Sequence, residues 1–342
     1  MKATLVRVAV VGATGYSGAE LVRLLSRHPN VRIEVVTSEQ AAGRSLGDVH
    51  RTLGFLGLEL EAVDAGGIAP RVDFAFTCLP HGASTPVVQT LVDKGVRVID
   101  VGADFRFRDL DVYAKWYGEH GAPQLAAQAV YGLVEHAREN IAGARLVANP
   151  GCYPTSALMP LLPLARTIRG PVVVDSKSGT SGAGRAAKVD QLFAEVTENI
   201  RPYSVGKHRH QPEIAEHLSF AAAQRHSVLF TPQLLPIARG ILTTTYVDVA
   251  EGTDVGALLH AAYDGEPFVR LLEGGAMPEP RSVRGTNMVE IAWVRDAESG
   301  RVVLLSAIDN LGKGAAGQAV QNLNCMIGVP ETTGLELLPA LP

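Results

Sequence analysis

One junction near the N-terminus constrains the fold more than anything else in the sequence. The run Val6-Arg7-Val8-Ala9-Val10-Val11 passes directly into Gly12-Ala13-Thr14-Gly15-Tyr16-Ser17-Gly18, and Leu21, Leu24 and Leu25 then recur at helical spacing. A nearly continuous apolar run ended by glycine predicts a strand buried on both faces, over Val6–Val11. A helix immediately after it, over Gly18–Arg27, commits this part of the chain to a parallel sheet with helical crossovers. Val31–Thr37, Phe74–Leu79 and Val96–Val101 continue the same alternation.

The pattern changes in the middle of the 342 residues. Val172–Ser176, Val228–Gln233, Ile241–Val249, Val289–Val294 and Val302–Ala307 read as strands, and helical stretches become fewer. Thr243, Thr245 and Val247 alternate with Thr244, Tyr246 and Asp248, as in a sheet with one covered face. A long helix is expected over Gly312–Ile327. The fold class expected is α/β: a dinucleotide-binding domain (1–150 plus 310–342) and an α+β catalytic domain (151–309) with a mixed or antiparallel sheet.

The three glycines follow a GxxGxxG spacing, a variant of the dinucleotide fingerprint. Gly12 permits the tight turn, Gly15 lets backbone approach a pyrophosphate, and Gly18 allows close packing of helix on strand. The helix N-terminus behind them offers free N–H groups to phosphate. The second strand ends Thr37-Ser38-Glu39. Ser38 and Arg44 favour a 2′-phosphate, hence NADP, whereas Glu39 is the kind of acidic residue that binds a free ribose hydroxyl.

The formal net charge of -4 argues against a nucleic-acid partner. No apolar run is long enough to span a bilayer, and no signal peptide precedes the first strand, so a cytoplasmic protein is expected. The three cysteines, Cys78, Cys152 and Cys325, form neither a disulfide framework nor a pair with metal-ligand spacing.

Cys152 stands apart from the other two. In Ala148-Asn149-Pro150-Gly151-Cys152-Tyr153-Pro154-Thr155, a strand leads into a Pro-Gly turn, and a helix over Ser156–Ala165 follows, interrupted by Pro160 and Pro163. Cys152 is therefore expected at or just before a helix N-terminus, a position that lowers a thiol pKa and supplies thiolate, the attacking form. Cys78, inside a strand, and Cys325, on a helix, read as small buried hydrophobes.

Lys207-His208-Arg209-His210-Gln211-Pro212-Glu213 joins two histidines to a carboxylate, a set suited to acid–base work. The bland alternative is a solvated basic loop. A metal site is a poor match, because no further ligand is evident, and none is expected. Ser178–Arg185 is rich in glycine and hydroxyls and reads as a loop that brings backbone N–H groups to a ligand. Arg106, just past the strand Val96–Val101, is a candidate phosphate anchor.

A dinucleotide loop, a cysteine nucleophile and a histidine acid–base group together indicate thioester chemistry with hydride transfer. On these stretches the chain resembles the N-acetyl-gamma-glutamyl-phosphate reductases. Leu79-Pro80-His81-Gly82, Ala103-Asp104-Phe105-Arg106, Gly179–Arg185, Arg239-Gly240 and Asn310-Leu311-Gly312-Lys313-Gly314 extend the resemblance over nearly the whole chain. It implies a Rossmann-like NADP domain and a catalytic domain of the aspartate-semialdehyde-dehydrogenase type. It also implies reduction of N-acetyl-glutamyl 5-phosphate through a thioester on Cys152, in a homo-oligomer (dimer or tetramer). His208 or His210 moves protons, with Glu213 in support. Gly12–Gly18, Ser38, Arg44, Leu79, Pro80, Ser181, Gly182, Asn310 and Lys313 face the cofactor, and Arg106, Asn149 and Arg239 face the small-molecule substrate. Three other readings stay open: the related reductase of the aminoadipate route to lysine, a thiol acyltransferase or hydrolase without redox chemistry, and a non-catalytic NADP-binding protein.

Overall fold

The computed structural model describes residues 5–339. The chain divides into two compact units. The first runs to Pro150 and takes in Ala315–Glu336; the second is Gly151–Gly314 with residues 337–339. Residues 310–314 and 337–339 group with the second unit rather than the first, and the outermost ends of the expected ranges, 1–4 and 340–342, lie outside the described residues.

The first unit is built on seven strands: β1 (Val6–Val11), β2 (Val31–Thr37), β3 (Leu60–Glu61), β4 (Phe74–Thr77), β5 (Arg97–Asp100), β6 (Val130–Tyr131) and β7 (Leu146–Ala148). Every pairing is parallel, in the order β3-β2-β1-β4-β5-β7-β6. Val8, Ala9, Val10 and Val11 are wholly buried, as a strand covered on both faces requires. From β1 the sheet grows one way to β2 and the other way to β4. Connections diverge at that point, and ligands bind there, beyond the carboxyl ends of the strands.

Helix Tyr16–Leu25 begins two residues earlier than the apolar spacing predicts and buries Leu21, Val22, Leu24 and Leu25. Strand β4 stops at Thr77, so Cys78 lies just past the strand rather than within it. The expected helix over Gly312–Ile327 is two elements. Gly312–Ala316 is a π-turn, in which the Gly314 N–H donates to the Asp309 carbonyl five residues back, and the α-helix proper is Gly317–Ile327. That helix packs on Val134–Gly143 and on Tyr16–Leu25. It buries polar side chains because each finds a partner: Gln318 and Asn322 donate to the Gly132 carbonyl at 2.7 and 3.0 Å, and Asn322 also donates to Asn149 Oδ1 at 3.1 Å.

The second unit holds β8 (Ile168–Ser178), β9 (Arg201–Pro202), β10 (Val228–Leu234), β11 (Ile241–Val249), β12 (Val269–Leu271), β13 (Val289–Arg295) and β14 (Val302–Ile308). Their order is β12-β13-β14-β11-β8-β10-β9. The sheet is mixed, as expected: β8 with β10 and β12 with β13 are parallel, and the remaining pairs are antiparallel. Helix Cys152–Leu161 lies on β11 and β14, with helix His210–Ala222 beside it. The helix starts four residues before the expected Ser156. Pro154 sits in its first turn, where its missing N–H has no acceptor to lose, and the helix tightens to a 3-10 turn at Leu162–Leu164 around Pro163.

A buried hydroxyl cluster joins this helix to the sheet. Ser156 Oγ lies 2.8 Å from Thr243 Oγ1 and 2.9 Å from Ser306 Oγ, and Thr243 in turn lies 2.8 Å from Ser176 Oγ. Thr243 and Thr245 point into the covered face, with Tyr246 exposed on the other, as the alternation predicts. Across that outer face Leu229, Val173, Tyr246, Val303 and Val294 stand in register on five adjacent strands. Among the described residues no helix is long and apolar enough to cross a membrane.

Candidate active site

Of the expected cofactor residues, the first unit holds Gly12–Gly18, Ser38, Arg44, Leu79 and Pro80, with the glycine loop at the β1/β4 switch point, and the second unit holds Ser181, Gly182, Asn310 and Lys313. Gly12 has φ +86°, and a Cβ there would stand 2.7 Å from the Cys78 carbonyl oxygen and 3.3 Å from Leu79 Cδ2. The turn after β4 is therefore packed against the glycine loop. Gly18 is equally confined, since a Cβ would stand 2.3 Å from the Gly12 carbonyl oxygen. The loop is tied to β2 by Gly12 N–H to Thr37 Oγ1 at 3.2 Å and Ala13 N–H to the Thr37 carbonyl at 2.9 Å. The helix behind it starts at Tyr16 with no side-chain cap on Gly15, leaving its first N–H groups for an anion.

Ser38 Oγ bonds Thr14 Oγ1 at 3.0 Å, and His50 Nε2 lies 3.0 Å from the Thr14 carbonyl. Arg44 is exposed. Glu39 Oε1 accepts the Val63 N–H at 2.8 Å. A confined glycine loop, uncapped N–H groups and hydroxyls at the end of β2 fit a dinucleotide phosphate.

Arg106 and Asn149 also lie in the first unit, both buried. Arg106 Nε donates to the Asn149 carbonyl and Nη2 to the Val101 carbonyl, each at 2.9 Å. The Asn149 amide donates to the Ala315 carbonyl at 3.1 Å and accepts from Asn322. Both side chains brace backbone at the carboxyl ends of β5 and β7.

The second unit brings the expected catalytic residues together. Cys152 is the first residue of its helix, behind Gly151, which carries no capping side chain. Glu213, wholly buried, accepts the Gly151 N–H at 2.9 Å. The carboxylate expected to serve an imidazole thus holds the turn that presents the cysteine. Gly314 abuts Cys152, as a Cβ there would lie 2.8 Å from Cys152 Cβ.

Tyr153 makes edge contacts with both histidines, at ring-centroid distances of 5.5 Å to His208 and 5.9 Å to His210. His208 is also flanked by Tyr203 and Phe230. Its Nδ1 accepts the His210 N–H at 3.1 Å, which assigns the proton of the neutral ring to Nε2. Burial, aided by the Arg209 charge, pushes the His208 pKa down to about 4. Cys78 is held in the opposite sense: desolvation, with Asp100 nearby, keeps its thiol far above the ordinary value and inert.

The depressed histidine has a consequence for stability. In the unfolded chain His208 takes a proton near pH 6.5, and in the folded one near 4. The stability carried by the neutral ring is complete above the unfolded value and is lost as pH falls through the folded one. Melting at a series of pH values should show a loss on the order of 3 kcal/mol across that window, reduced in His208→Gln.

The loop after β8 joins the same region. Asn310 Nδ2 donates to Ser181 Oγ at 2.9 Å while its Oδ1 accepts the Gly240 N–H at 2.7 Å. A Cβ on Gly182 would stand 3.0 Å from Ser178 Oγ. Arg239 is fixed by Asp309, Nε to Oδ2 and Nη2 to Oδ1 both at 2.9 Å, and Asp309 further accepts the N–H groups of Gly285, Leu311 and Gly312. Lys313 is wholly buried, with Nζ 5.9 Å from the Phe268 ring centre. Sequence reasoning missed Asp309, Tyr203 and His50. Asp309 closes an otherwise apolar strand, and that polarity was the available signal.

Comparison with known proteins bears on both units. Residues 7–144 match the family model described as semialdehyde dehydrogenase, NAD binding domain, and residues 152–310 match semialdehyde dehydrogenase, dimerisation domain. The fold is similar to aspartate semialdehyde dehydrogenase II from Vibrio cholerae, solved in complex with ASA (TM-score 0.73, 19% identity, 95% of this chain and 99% of that one). It is also similar to the aspartate semialdehyde dehydrogenase with NADP from Candida albicans (TM-score 0.69, 16% identity, 95% and 99%). Sequence relatives are much nearer. The N-acetyl-gamma-glutamyl-phosphate reductase of Moorella thermoacetica is 48% identical over 97% of this chain and 99% of its own length. That of Geobacter sp. (strain M21) is 51% identical over 99% and 100%. At that identity over its whole length, the chain belongs to the N-acetyl-gamma-glutamyl-phosphate reductase family.

Proposed function

We propose that the protein reduces N-acetyl-L-glutamyl 5-phosphate to N-acetyl-L-glutamate 5-semialdehyde and phosphate with NADPH, in arginine biosynthesis, through a thioester on Cys152. The observation that carries this mechanism is Cys152 at an uncapped helix N-terminus, with Glu213 fixing the turn before it. The Cys152 thiolate attacks the acyl carbonyl carbon, an S–C bond forms, and the C–O bond to phosphate breaks. The dinucleotide, when bound on the glycine loop, supplies the hydride that reduces the thioester carbon. The thiohemiacetal on Cys152 then returns its hydroxyl proton to a histidine as the C=O bond re-forms and the C–S bond breaks, releasing aldehyde and regenerating thiolate.

We read His208, neutral at physiological pH with its proton on Nε2, as the donor to the oxygen that gains charge. His210, the first residue of its helix, is the second proton carrier. Ser38 and Arg44 answer the 2′-phosphate of NADP, and Leu79 and Pro80 line the cradle with Gly12–Gly18. Ser181, Gly182, Asn310 and Lys313 form the nicotinamide side. Arg106, Asn149 and Arg239 are read as substrate-side residues, the first two acting through the backbone they brace.

The reverse assay tests this reading. N-acetylglutamate semialdehyde and NADP should yield NADPH only when phosphate is present. Faster turnover of the homologue one carbon longer would replace the reading by the lysine-route reductase. Ester cleavage without any dinucleotide would replace it by a non-redox thiol enzyme.

The same reading makes the protein a cytoplasmic homo-oligomer. The in-register row Leu229, Val173, Tyr246, Val303 and Val294 suits the face of a second copy, since such a row in water is costly. Tyr246→Asp should shift sedimentation from oligomer toward monomer; an unchanged sedimentation coefficient would reject this face.

A further inference from the structure

Asp104 belongs to the first unit, and its carboxylate is wholly buried. It is surrounded by donors. The Gly82 N–H reaches Oδ1 at 3.0 Å and Oδ2 at 2.9 Å, Thr85 Oγ1 donates to Oδ2 at 3.0 Å, and the Tyr113 hydroxyl donates to Oδ1 at 3.1 Å. His81 Nδ1 stands 3.8 Å from Oδ1. The aspartate is itself anchored, because its carbonyl lies 2.8 Å from His120 Nε2. An ionised carboxylate is acceptor-only, which is what such a ring of donors needs.

The segment so held, Gly82 and the start of helix Ser84–Asp93, continues the turn at the carboxyl end of β4 whose first residues, Cys78 and Leu79, pack against Gly12. Gly82 takes φ +80°, so the turn has a left-handed step that the carboxylate stabilises by gripping its N–H. We infer that Asp104 is a positioning residue for the cofactor: it clamps the Leu79–Gly82 turn so that the wall facing the glycine loop is formed before the dinucleotide arrives. The inference rests on the reading of the glycine loop as the NADPH site. Asp104→Asn replaces one acceptor oxygen by an amide donor and removes the charge, so whichever way the amide turns the ring of donors loses an acceptor and the clamp weakens.

The test is NADPH binding to the full-length protein by fluorescence titration, with steady-state kinetics alongside. Asp104→Asn should raise the NADPH Kd and KM about tenfold or more, with kcat, the acyl-substrate KM and the alkylation rate of Cys152 changing less than about twofold. Thr85→Val, which removes one donor and keeps the carboxylate, should raise them about threefold. If Asp104→Asn does not melt cooperatively, Thr85→Val decides alone. Failure of the wild type to bind NADPH would contradict the cofactor reading. Wild-type binding with no rise in Kd in the deciding variant would overturn the clamp alone, as would a loss of kcat and Cys152 reactivity with NADPH KM unchanged.

Discussion

Cys152→Ser should lose at least about a thousandfold in kcat for acyl-phosphate reduction while still binding NADPH within about twofold of the wild type. The side chains are nearly isosteric, so neither the helix start nor the Glu213–Gly151 bond is disturbed. What changes is the nucleophile. A serine hydroxyl is almost entirely protonated at neutral pH, and a helix N-terminus shifts a pKa by a few units at most. An oxygen ester is also a poorer hydride acceptor than a thioester. Titration of NADPH with the variant separates chemistry from folding, because the cofactor cradle belongs to the other unit. A near-normal rate would exclude the thioester route.

Gly12→Ala should weaken cofactor binding through the backbone of the glycine loop. Its φ of +86° costs a residue with a Cβ about 1–2 kcal/mol. The Cβ would also press to 2.7 Å from the Cys78 carbonyl oxygen, which β1 holds through the Cys78 N–H to Val11 bond at 2.8 Å. Relief has to come from the glycine loop or from the Leu79–Gly82 turn, both of them proposed cofactor walls. NADPH affinity should fall roughly tenfold to a hundredfold, with Cys152 still alkylated at the wild-type rate. Affinity within about twofold of wild type would mean that the loop does not approach the dinucleotide this closely.

Much of this was legible in the sequence where one local rule dominates. Strands β2 and β11 fall on the residues that the apolar pattern predicts, because each lies between turns and carries its whole period. The glycine loop was legible for the same reason, since φ and close approach admit little but glycine. Element ends were not. Helix Cys152–Leu161 starts early because Pro154 fits its first turn, and the helix expected from Gly312 opens as a π-turn because Asp309 takes its N–H groups. Tertiary partners were the least legible. The histidine–carboxylate spacing pointed to Glu213 as an imidazole partner and gave no sign that its Oε1 also grips Gly151, 62 positions earlier. Asp104 and Asp309 each gather donors from separate segments, a role no spacing encodes.

The account stands most directly on the covalent adduct. The full-length protein, mixed with the acyl phosphate in the absence of NADPH and quenched in acid, should release one phosphate per active site. It should also gain the mass of one N-acetylglutamyl group, carried on the peptide that contains Cys152 and lost on addition of NADPH. Turnover without that adduct, or an adduct carried on Cys78 or Cys325, would contradict it.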